Sequence, residues 1–194
     1  DMTDEVAGLV LANNHSQTLA ISLAERQGVA DLPFQRRMVG ALERAGRLDR
    51  RVETLPDDAG FAAREKAGRA LTRSEIGVLL AYAKMSGKVD LLASDVPDEP
   101  LFAAELHAYF PERLRSAFAD GIDGHRLRRE IVATRLANVV VDRGGPTFLT
   151  RVADRTGAGV PAIVRAFAAT RGIFDLAALE RALDGLDGRI AGAL

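Results

Sequence analysis

Along most of the chain apolar residues recur three and four positions apart, the spacing that gathers them on one side of an α-helix. No run of convincing length alternates apolar and polar as a half-buried strand does. The pattern predicts an all-α fold. A first helix is expected from about Asp4 to Arg26, stopping near Gly28. A second starts after Asp31, with Pro33 in its first turn, and runs to about Gly46. LPDD at Leu55–Asp58 opens a short third helix. In LTRSEIGVLLAYAKM, Thr72 and Glu75 have the spacing of a capping box, with Ile76, Leu79, Leu80 and Ala83 as the apolar face.

The segment Ser94–Pro100, SDVPDEP, reads as a loop and as the best place for a subdomain boundary. A helix follows to Phe110, Pro111 breaks it and begins another, and Gly121 and Gly124 weaken that one. The stretch HRLRREIVATRLANVVVDRGG, His125–Gly145, is a long helix, and Thr147–Thr156, Pro161–Arg171 and Leu176–Leu183 are three shorter ones. The whole is a compact multi-helix bundle of about nine or ten helices with short loops, residues 31–194 forming the bundle and residues 1–30 leading into it.

The long helix holds five arginines, which raises the prospect of an anion grip. At 100° per residue from Leu127, Arg128 and Arg135 fall near roughly 100° and 80°, while Arg143, Arg129 and Arg126 fall near roughly 160°, 200° and 260°. Cations so dispersed, with Val132, Leu136, Val139, Val140 and Val141 between them, predict a buried beam and not a phosphate-binding face. Asp142, one heptad from Arg135, is expected to pair with it. Gly144-Gly145 is expected to cap the helix in the left-handed conformation.

Composition agrees with a globular chain and narrows the chemistry. Of 194 residues 47% are hydrophobic and 27% charged, and no apolar run approaches the ~18 residues that span a bilayer, so no membrane partner is expected. Lys+Arg of 26 against Asp+Glu of 27 leaves a net charge of −1, which argues against a nucleic-acid partner. The chain has no cysteine, excluding disulfides and thiolate chemistry and fitting a cytoplasmic location. His15, His107 and His125 lack metal-ligand spacing, so no metal site is expected. Gly157-Ala158-Gly159 is a helix–helix turn without the strand and third glycine of a dinucleotide site. No residue set qualifies as catalytic, and no cofactor-binding residues are identified.

One polar cluster stands out. Asn13, Asn14, His15, Ser16 and Gln17 interrupt the apolar run of the first helix, and such groups need partners from the core or from another domain. Thr3 suits the N-cap of a helix that runs straight in from the first residues, as in a piece of a longer polypeptide.

Six segments in order carry a resemblance: DMTDEVAGLVLANNHSQ, LDRRVETLP, LTRSEIGVLLAYAKM, YFPERL, HRLRREIVATRLANVVVDRGGPTF and FDLAALERALDGLD. Together they resemble the C-terminal region of the large bacterial NAD-dependent glutamate dehydrogenases, over essentially the whole chain. Ser74 departs from the proline expected in the family's LTRPE, and serine is equally acceptable in a first helical turn. The resemblance implies a parent enzyme that oxidatively deaminates L-glutamate to 2-oxoglutarate and ammonia with NAD. It also implies upstream catalytic and cofactor domains as partners, and a homo-oligomer. The family's glycine-rich lysine motif, acid/base aspartate and Rossmann unit are not in this sequence, so no catalytic residue carries over. The chain is therefore expected to be a non-catalytic helical domain supporting the catalytic core or subunit assembly. Its first helix would continue from the cofactor domain, with Asn14 and Gln17 at the interdomain contact. The alternative is a free-standing helix-turn-helix module, with TGAGVPAIVRAF as turn and recognition helix.

Overall fold

A computed structural model of the chain describes residues 2–186, all of whose regular elements are helical. The eleven α-helices among them are α1 (Met2–Gln27), α2 (Leu32–Arg44), α3 (Asp58–Lys66), α4 (Arg73–Leu92), α5 (Ala103–Ala108), α6 (Glu112–Ala117), α7 (Ala119–Asp123), α8 (Arg128–Gly144), α9 (Phe148–Thr156), α10 (Val160–Ile173) and α11 (Leu176–Asp184). Asp1 and Asp187, at the edges of two of the segments quoted above, lie outside the described residues.

The helix starts show how local chemistry sets the boundaries. Asp57 caps α3 by accepting from the Gly60 amide at 2.7 Å. Thr72 and Glu75 make the expected reciprocal box at α4: the Glu75 carboxylate accepts from the Thr72 amide at 2.7 Å while the Thr72 hydroxyl accepts from the Glu75 amide. Asp31 precedes α2 but its side chain makes no cap. It is buried instead, 2% exposed, accepting from Thr147 Oγ1 at 3.0 Å and Gln35 Nε2 at 3.2 Å, with Arg151 at 3.7 Å. Thr3 lies inside α1, one residue past its first, and so does not cap it. The segment after Pro111 divides into α6 and α7 because Phe118, at φ −136°, ψ 36°, interrupts the helical path.

The core is organised by α4 and α8, which share the most extensive packing in the molecule. On α4 the buried residues Ile76, Leu79, Leu80, Ala83, Gly87 and Leu91 form one stripe. On α8, Ile131, Val132, Ala133, Leu136, Ala137, Val140 and Val141 cover much of the circumference, as a helix surrounded by neighbours requires. Val132, Leu136 and Val140 are at most 5% exposed, so α8 is the buried beam its pattern predicts. A single apolar cluster runs from Ala20 and Ala24 of α1 through α2, α4 and α8 to Val164 of α10. The Ser94–Pro100 segment is built into it: two 3-10 turns, Val96–Asp98 and Pro100–Phe102, bury Val96, Pro97 and Phe102.

The end of α8 departs from the expected cap. Gly145 has positive φ, 87°, but ψ is 167°, a mirror-extended conformation and not the left-handed helical one, equally reserved to glycine. Gly144 is needed for space, since a Cβ there would lie 2.5 Å from Cγ of Phe148.

Candidate functional site

The five arginines of His125–Gly145 do separate things. Helix α8 begins at Arg128, so Arg126 precedes it, and both are exposed. Arg129 pairs with Asp98 and donates to the carbonyls of Leu92 and Ser94 at 3.0 Å, closing the 94–100 segment over the helix. Arg135 reaches Glu105 of α5 at 2.9 Å, and Arg143 grips Asp184 of α11 through both terminal nitrogens at 3.0 and 2.7 Å. They are staples to three neighbours. The expected Asp142–Arg135 pair does not form: seven residues are about 10.5 Å of helix rise, and each group has a nearer partner. Asp142 pairs with Lys84 of α4, Oδ1 to Nζ 2.7 Å, with side chains 7% and 13% exposed. Burial pushes the Asp142 carboxyl up, against the pull of Lys84 and Arg143.

These groups line a polar cleft of about 190 Å³ where α1, α8 and α10 meet, formed by Asn13 and Ser16 of α1, Arg135, Asn138, Val139, Asp142 and Arg143 of α8, and Arg171 of α10. Arg171 binds Glu180 at 2.5 Å through Nη2, and Glu180 also lies 3.4 Å from Arg143. The Arg143 hydrogen bond holds Asp184 below the usual carboxylate range, with a smaller push from His15. Among the described residues, the lysine and arginines around the cleft are paired with carboxylates: Lys84 with Asp142, Arg135 with Glu105, Arg143 with Asp184, Arg171 with Glu180. A neutralised set of this kind joins helices and leaves no spare charge to draw in an ionic ligand.

Of the residues singled out from the sequence, Asn13 and Ser16 reach this cleft, Asn14 is exposed, and Gln17 is half-buried. Lys84, Glu180 and Arg171 were not foreseen. The available signal for Lys84 was its place one residue after Ala83, at the edge of the apolar face of α4. Among the described residues no group of three or more His, Asp or Glu side chains could hold a metal ion, and no helix is long and apolar enough to cross a membrane. In TGAGVPAIVRAF, Ile163 and Val164 of α10 are in the core and the single cation, Arg165, is held by Asp95 and Glu99, while the exposed positions Ala162 and Ala166 carry no group that reads a base edge.

The first half of α1 carries an uncovered apolar face. At 100° per residue, Met2, Val6, Leu9, Asn13, Ala20 and Ala24 fall within an arc of roughly 60°. At Ala20 and Ala24 this face is buried in the core, but Met2, Val6 and Leu9 on the same face are 47%, 45% and 46% exposed, and Val10 beside them 53%. The helix is about 39 Å long, and its first half overhangs the bundle. The overhang is tied to the bundle at Glu5, which accepts from the Glu112 amide at the start of α6 at 2.6 Å.

Residues 68–194 match the protein family described as "Glutamate dehydrogenase, C-terminal". Among curated proteins, the chain is 43% identical over 193 residues to an NAD-specific glutamate dehydrogenase of Halomonas elongata, covering 98% of this chain. It is 41% identical over 186 residues to one of Pseudomonas aeruginosa (96% of this chain), and 38% identical over 180 residues to one of Mycobacterium tuberculosis (93%). The chain spans only 11–12% of the length of these relatives.

Proposed function

Because the chain belongs to the glutamate dehydrogenase C-terminal family, we propose that it is the non-catalytic helical module of an NAD-dependent glutamate dehydrogenase, docked on the remainder of that enzyme through the overhanging half of α1. The observation that carries this reading is the continuity of one helix face, buried at Ala20 and Ala24 and uncovered at Met2, Val6 and Leu9. An apolar stripe that forms half of a core and then runs on into open space has the character of an interface. Asn14, exposed, and Gln17, half-buried, sit on the same helix where a docked domain reaches their amides.

Gly157-Ala158-Gly159 links α9 to α10 with no strand before it among the described residues, so this glycine pair does not supply a dinucleotide-binding turn. Hydride transfer from the α-carbon of glutamate to NAD, and hydrolysis of the resulting imine to 2-oxoglutarate and ammonia, are therefore assigned to the upstream part of the enzyme. The module's contribution is a rigid bundle that fixes the direction in which α1 leaves it.

The test uses the full-length enzyme. Val6→Ser with Leu9→Ser, and separately Asn14→Ala with Gln17→Ala, are expected to lower the melting temperature or the turnover of glutamate oxidation. Wild-type turnover and melting in both double variants would overturn the docking role.

A further inference from the structure

The polar cleft between α1, α8 and α10 adjoins a second chamber. Val139 and Arg171 line both. The second, of about 360 Å³, is apolar: Phe102, Leu136, Val140 and Val164 are buried around it and Phe167 is half-buried. The division follows from the sequence of α8. At 100° per residue from Arg135, Asn138, Asp142 and Arg135 itself fall near roughly 300°, 340° and 0°, Val139 near roughly 40°, and Leu136 and Val140 near roughly 100° and 140°. One helix thus carries a polar and an apolar sector side by side, with Val139 at their boundary. The cleft and the chamber together fall within the size of small-molecule sites, roughly 300–1,000 Å³.

The polar side has hydrogen-bonding capacity to spare. Among the described residues, the carboxamides of Asn13 and Asn138 make no hydrogen bond, although Asn138 is half-buried. Arg135 donates to Glu105 through Nε, which leaves its terminal nitrogens unused. We propose that the two chambers form one binding site for an uncharged amphiphile. Its apolar ring body lies among Phe102, Leu136, Val164 and Phe167, and its head, a carboxamide or a similar donor–acceptor group, lies between Asn13, Asn138 and Arg135. Each asparagine both donates and accepts, so an amide head is matched on both counts. The neutrality of the head follows from the charges. Arg135, Arg143 and Arg171 are matched by Glu105, Asp184 and Glu180, and Asp142 by Lys84. An ionised head entering this balanced set loses hydration without gaining a counter-ion. Asp175, exposed at the rim of the apolar chamber, further disfavours an anion. Met2, Val6 and Leu9 line neither chamber, so the site is separate from the docking face.

The probe is 2-naphthamide, and saturation-transfer NMR on the full-length enzyme, with NAD in excess, reads its binding. Two variants at exposed positions locate it without disturbing the core. Gly172→Leu puts a side chain at the apolar chamber, where an added Cβ meets nothing within 4 Å, and Asn13→Leu removes one carboxamide from the polar cleft. Each is expected to weaken binding by roughly fivefold or more. The anionic 2-naphthoate and the cationic 2-naphthylmethylammonium are expected to bind the wild-type enzyme at least about tenfold more weakly than the amide. No saturation transfer to 2-naphthamide, an affinity unchanged in both variants, or a charged analogue that binds as tightly as the amide would each overturn the proposal.

Discussion

Lys84 Nζ lies 2.7 Å from Asp142 Oδ1, joining the two central helices of the bundle where both side chains are almost wholly buried. The attraction between them offsets a large desolvation cost, so the pair is worth little over an apolar one but is costly to break. Lys84→Met alone is expected to lower unfolding stability by about 3–5 kcal/mol in urea titration, because Asp142 is left buried without its cation. Lys84→Met with Asp142→Leu should recover most of that loss. A single variant as stable as wild type would show that the carboxylate finds another partner.

Asp31 gives a pH dependence of definite sign. Burial raises its carboxyl above the ordinary aspartate value, while Thr147, Arg151 and Gln35 oppose the shift. A group raised on folding contributes stability that is full below its unfolded value and lost as pH rises through its folded value. The Gln35 carbonyl oxygen Oε1 is buried without a hydrogen-bond donor, so an amide at position 31 has a waiting acceptor. Asp31→Asn should therefore gain on wild type as pH increases from about 4 to 7. Denaturation midpoints at several pH values check this; an advantage that shrinks toward neutrality would contradict it.

Arg143 anchors α11 from the central helix α8. Replacing it with methionine removes the forked bond to Asp184 and the approach to Glu180. Amide hydrogen exchange is expected to show protection lost across Leu176–Asp184 and retained in α4 and in the first turns of α8. Equal loss in α4 would mean that the arginine supports the whole core.

The turn after α8 should tolerate no side chain. Gly144→Ala places a methyl 2.5 Å from the Phe148 ring, and Gly145→Ala forces a positive φ on an L-residue. Each is expected to cost about 1–3 kcal/mol in equilibrium unfolding. Combining Gly144→Ala with Phe148→Ala should cost less than the sum of the single changes, because the ring atoms are removed while Phe148 Cβ, 2.8 Å away, stays; strict additivity would show that the ring is not the source of the strain.

The helices were legible wherever a local rule fixed them. The Thr72–Glu75 box, Pro33 in the first turn of α2 and the dispersed α8 arginines all appear in the structure as their sequence implies. What escaped depended on neighbours distant in sequence. Asp31 looks like a cap because it precedes a proline-bearing turn, yet Thr147, 116 positions on, draws it inward. Asp142 has Arg135 at heptad spacing, but Lys84 of another helix is closer. The acidic side of α11 gave no hint that it would face the bundle, since a leucine seam ordinarily does. Spacing reveals which residues share a face; it does not reveal what that face meets.

The unbroken course of α1 has a mechanical meaning. A single helix whose last turns are locked in the core and whose first turns project beyond it, held at Glu5 on α6, is a lever with its fulcrum near Ala20. Met2 is 18 residues away, about 27 Å, so a tilt of about 10° at the fulcrum moves the tip by about 5 Å. Torque applied to the outer arm passes along an unbroken helix to α4 and α8, and through Glu5 to α6, so the bundle swings with whatever holds the other end.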